Sequence, residues 1–103
     1  MKVGLTVLER LAVLNTLPKE GNYITLKVLR GLVTKVGFQS EEIAELGITY
    51  NDEGSSWNEK GNVPKEFEFD DVELDIIRKQ FKKLDKENKL VQEMYSTYEK
   101  FCA

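Results

Sequence analysis

A chain of 103 residues, 41% hydrophobic and 32% charged, holds one core and not two, so a single compact domain over residues 1–103 is expected. A formal net charge of −3 is too small to define a nucleic-acid partner. The absence of histidine removes the commonest general base and metal ligand near neutral pH, which argues against an enzyme and against a cofactor or zinc site.

Met1 to Gly4 reads as a loose start. Thr6 followed by Glu9 is a capping box for a first helix over residues 7–16, with Val7, Leu8, Leu11 and Leu14 on one face, and Pro18 ends it. Glu9 and Arg10 interrupt the apolar N-terminal run, so it is neither a signal sequence nor a membrane span, and no membrane partner is expected. After a polar turn over residues 17–22, Leu26, Leu29, Val33 and Val36 recur at helical spacing with Leu32 beside them, giving a second helix over residues 24–36 with Gly37 as its stop. Its opposite face holds Lys27, Arg30, Gly31, Thr34 and Lys35. An interior Gly31 costs roughly 1 kcal/mol relative to alanine, so a close helix approach is expected there.

Ser40 caps a short third helix over residues 41–46 with Ile43 and Leu46 inward, and Gly47 ends it. Residues 48–58 read as a hairpin around the turn Asn51-Asp52-Glu53-Gly54, and the alternation Glu66-Phe67-Glu68-Phe69 as a third strand with its phenylalanines inward. The strongest local signal follows. Asp70 and Glu73 form a second capping box, Leu74, Ile77, Phe81 and Leu84 form one stripe, and acids precede bases as the helix dipole favours. A last helix over residues 91–101 presents Met94, Tyr95, Tyr98 and Phe101 on one stripe. The fold class is therefore α+β: five helices and a small antiparallel sheet, with the helix, helix, helix, hairpin order of a winged helix in the N-terminal half.

Charge is unevenly spread. Residues 1–37 carry six bases and two acids, residues 38–64 one base and six acids, and residues 65–103 eight bases and ten acids. The acids between Glu66 and Asp75 offer oxygens to a hard cation, as does the turn at residues 51–54, but a solvated strand face leading into a dipole-matched helix start accounts for the former and turn formation for the latter. Duplex DNA is disfavoured as a partner, because the third helix carries Glu41, Glu42 and Glu45 with no base where a recognition helix would meet phosphate. The residues best suited to contact a protein partner, or a second copy in a homodimer, are Trp57, Tyr95 and Tyr98, with Lys27 and Arg30 for charge complementarity.

Several short pieces together carry a resemblance: Val7-Leu8-Glu9-Arg10-Leu11, the turn at residues 17–22 with Thr25-Leu26-Lys27, Trp57-Asn58, the run from Leu84 to Leu90, and the ending Tyr98-Glu99-Lys100-Phe101. They make the chain similar to a group of small uncharacterised bacteriophage and prophage proteins. The resemblance implies an accessory protein acting in a bacterial host cytoplasm, where the lone Cys102 would also be at home, and supplies no catalytic residue. A DNA-binding transcriptional regulator of winged-helix type is the alternative reading.

Overall fold

The computed structural model describes residues 1–52 and 54–103. Its helices are α1 (Val7–Thr16), α2 (Tyr23–Val36), α3 (Ser40–Leu46), α4 (Asp71–Lys86) and α5 (Tyr95–Cys102), and its strands β1 (Lys2–Leu5), β2 (Thr49–Asn51), β3 (Gly54–Ser56) and β4 (Lys65–Glu68). Two short 3-10 turns, Glu59–Asn62 and Gln92–Met94, precede β4 and α5. The architecture is α+β, with five helices and antiparallel strand pairs.

Both capping boxes form. Thr6 Oγ1 accepts from Glu9 N–H while Glu9 Oε1 accepts from Thr6 N–H at 2.9 Å. Asp70 Oδ1 accepts from Glu73 N–H at 2.8 Å and Glu73 Oε1 from Asp70 N–H at 3.0 Å. Such caps satisfy amide donors that the first helical turn leaves unpaired. Gly47 ends α3 at φ 62, the left-handed conformation in which a side chain would be strained.

The expected loose start is instead a strand. β1 pairs antiparallel with β4, Val3 opposite Phe67 and Leu5 opposite Lys65, and buries Val3 and Leu5. The strand after the hairpin thus joins the N-terminus, and β2 and β3 form a separate two-stranded sheet. Alternation located β4 but could not name its partner, since strand pairing is a long-range contact. Glu53, within the expected hairpin turn, lies outside the described residues.

β1 and β4 cover a core shared with α1, α2, α4 and α5: Val13, Leu29, Leu32, Val36, Leu74, Ile77, Phe81 and Phe101 are all buried. Phe69 sits beside Phe67 and Phe101, edge-on to the latter at 5.6 Å between centroids, and Phe101 stacks with Phe81 at 6.4 Å. Such pairs add about 0.5–1.5 kcal/mol each beyond burial.

Other expectations change. The buried side of α1 is Val7, Ala12 and Val13, with Leu8 37% exposed, and α3 starts at Ser40 with Gln39 as an N-cap that makes no side-chain bond. Ile43 stays at the surface and α3 buries no residue. Val91 precedes a 3-10 turn rather than opening α5. A Cβ placed on Gly31 would meet nothing within 4 Å, so this glycine faces open space and not a neighbouring helix.

Candidate functional site

Three charged side chains that the sequence leaves looking solvated, Glu9, Arg10 and Glu73, are buried, each against a partly exposed partner of opposite charge. Arg10, 2% exposed, donates through Nε to Val36 O at 3.0 Å, through Nη2 to Gly37 O at 2.7 Å, and through Nη1 to Glu42 Oε2 at 2.8 Å, with Phe38 under its guanidinium at 3.9 Å. That hydrogen bond, with the charge behind it, lowers the Glu42 carboxyl to about 2 against the penalty of burial. Burial alone would raise the Glu9 carboxyl, but Lys100 Nζ at 2.6 Å and the Thr6 amide outweigh it and the group is lowered. Lys100 also donates to Gly4 O at 2.6 Å, fastening α5 to β1.

Lys35 belongs to the same set. Its ammonium donates to both Glu73 oxygens at 2.8 and 2.9 Å and to Glu68 O at 2.9 Å, joining α2 to the start of α4. It therefore leaves the basic stripe in which the sequence places it. Glu73 and Asp70 are likewise occupied by capping and by Lys35, and among the described residues no group of three or more His, Cys, Asp or Glu side chains is arranged to hold a metal.

None of these ion pairs other than that of Lys35 draws on the outer face of α2. The helix carries more apolar residues than one buried stripe accepts. Leu29, Leu32 and Val36 go inward, and Tyr23, Leu26 and Val33 are left 78%, 41% and 52% exposed. On a helix, residues 23, 26, 30, 33 and 34 share one side with residue 27. With Pro18, Lys19 and the buried Leu29 they line an open groove of about 960 Å³. Its charged lining residues are Lys19, Lys27 and Arg30, with no acid among them, and none of the three forms an ion pair among the described residues.

The sequence-derived contact residues divide. Lys27 and Arg30 lie together in this groove. Trp57 does not join them: half-buried, it donates its indole N–H to Asn62 Oδ1 at 3.1 Å and shares a smaller cleft of about 370 Å³ with Leu8, Leu11, Val91 and Met94. Tyr95 is exposed on α5. Tyr98 turns toward the core, edge-on to Phe81 at 6.4 Å with its hydroxyl 3.4 Å from Asp85 Oδ2. Tyr23, Leu26 and Val33 were not among the expected contacts. Leu26 and Val33 fit a buried stripe equally well on spacing alone; the surplus of apolar positions on α2 was the available signal.

Another cleft, about 520 Å³, is lined by Arg10, Glu42, Glu45, Lys60 and Lys65, but Glu42 is shared between Arg10 and Lys65. Among the described residues no helix is long and apolar enough to cross a membrane. Comparison of the chain with protein-family models, curated proteins and solved structures gives no match.

Proposed function

We propose that this is a small, non-enzymatic accessory protein of phage or prophage type, working in a bacterial cytoplasm by binding another protein, with the outer face of α2 as its docking surface. One observation carries the reading: Tyr23, Leu26 and Val33 stand exposed beside Lys19, Lys27 and Arg30 in a single groove. Tyrosine and arginine are the side chains protein interfaces favour as anchors, and here they flank an apolar floor. The buried Glu9 and Glu73 and the partly buried Glu42 favour a structural role over catalysis, because each already has a cation.

Capture from a bacterial host lysate tests the reading. A tagged wild-type chain is expected to retain a partner that Leu26→Asp and Lys27→Glu/Arg30→Glu lose and Trp57→Ala keeps. Identical retention by all four would remove the α2 face from consideration.

DNA binding draws less support. Lys35 is spent on Glu73, leaving Lys27 and Arg30 as the bases of that stripe, and α3 presents Glu41 and Glu45 to solvent. A salt-sensitive gel shift at about 50 mM salt, abolished by Lys27→Glu/Arg30→Glu, would revive it.

A further inference from the structure

We infer that the occupant of the α2 groove is an acidic amphipathic helix of a partner protein, about three turns long. This rests on the reading of the α2 face as the docking surface and adds the chemistry of what docks. The length follows from geometry. From Tyr23 to Thr34 the lining residues climb α2 by about 17 Å at 1.5 Å per residue, the rise of about twelve residues of a second helix lying alongside.

Three features select the class of ligand. The groove is walled by a helix and by the α1–α2 turn, Pro18 and Lys19, with no strand in its lining, so an added strand would find no edge to pair with. Leu29 forms an apolar floor between Leu26 and Val33, which asks for aliphatic side chains at i, i+3 or i+4, and i+7. Lys19, Lys27 and Arg30 around that floor ask for carboxylates on its flanks.

Other occupants fit less well. A phosphate backbone would use the bases but leave Leu26 and Val33 wet, and a flat anionic bilayer engages protruding side chains and not a concave floor. A second copy could offer α3, where Glu42 is held between Arg10 and Lys65 and the helix is half the length of the 14-residue α2, or the start of α4, where Glu73 pairs with Lys35 and Asp75 with Lys79.

The test is fluorescence anisotropy with a labelled, hydrocarbon-stapled helix of leucine anchors flanked by glutamate, the same helix flanked by lysine, anionic phosphatidylserine vesicles, and a random-sequence DNA duplex. The glutamate helix is expected to bind saturably, at least about tenfold more tightly than its lysine counterpart. Lys27→Glu/Arg30→Glu should weaken it by about tenfold or more and reverse the preference, both substitutions lying on exposed positions. Trp57→Ala should leave it unchanged. Equal binding of the two helices, no saturation by about 1 mM, or tighter binding of vesicles or duplex would overturn the inference. So would a concentration-dependent dimer, seen by sedimentation, that dissociates on Lys27→Glu/Arg30→Glu. If the stapled helix fails while lysate capture still depends on Leu26, only the acidic helix falls. If capture ignores the α2 substitutions, the docking surface falls with it.

Discussion

Arg10 is the residue on which burial and charge conflict most. Stripped of water, its guanidinium is tolerable only because Glu42 and the Val36 and Gly37 carbonyls replace the lost hydration. Breaking such a pair by removing one member costs about 3–5 kcal/mol when both are fully enclosed. Glu42 keeps 21% of its side chain exposed, so Glu42→Gln should cost nearer about 3 kcal/mol in urea unfolding. The pH dependence has a defined sign. Glu42 falls from an ordinary 4.5 to about 2 on folding, and Glu9 is lowered too. Their contribution is complete above the unfolded value and is lost as the pH drops through 4.5 toward 2. Thermal midpoints should decline over that window, and less steeply in Glu42→Gln.

Thr97 poses the opposite case. Its hydroxyl is fully buried and has no hydrogen-bond partner among the described residues. An unsatisfied buried polar atom costs about 1–3 kcal/mol, and valine has nearly the same shape. Thr97→Val should therefore raise stability, by about 1 kcal/mol, in the same unfolding assay. A loss would mean that the hydroxyl is satisfied in solution.

Among the elements, the helices were the legible part. Thr6 with Glu9 and Asp70 with Glu73 mark their starts through local chemistry, and of the stripe Leu74, Ile77, Phe81 and Leu84 the first three are buried and Leu84 half-buried. β1 was not legible, since four residues carry too little periodicity and their partners in β4 lie sixty or more residues away. Leu5 checks the correction: 1% exposed, it should cost about 2–5 kcal/mol when changed to alanine, whereas a loose N-terminus would leave stability untouched. For α2 the period was right and the rotation was not. Gly31 meets open space, so Gly31→Ala should stabilise the free protein by about 0.5–1 kcal/mol in urea unfolding.

At the scale of the whole molecule, the chain spends its embedded charges on joining distant segments. Arg10–Glu42 links α1 to α3, Lys35–Glu73 links α2 to α4, and Glu9–Lys100 links α1 to α5. None of these partnerships can be read from spacing, because each spans at least 32 residues. For the same reason the candidate site was only half legible: Lys27 and Arg30 were recognisable as bases without local partners, but Lys35 looked identical to them until Glu73 was in place. Among the surfaces left by the paired charges and the packed apolar residues, the outer face of α2 sets exposed apolar side chains beside Lys19, Lys27 and Arg30 in one groove whose lining holds no acid.

Amide chemical-shift mapping tests this most directly, by titrating the isotope-labelled chain with the glutamate-flanked helix. The shifts should gather on Lys19 and residues 23–34, with those of Trp57, Tyr95 and the Arg10–Glu42 contact little changed. A response centred on Trp57 and Met94, or no response at saturating peptide, would contradict the assignment of the α2 face as the working surface.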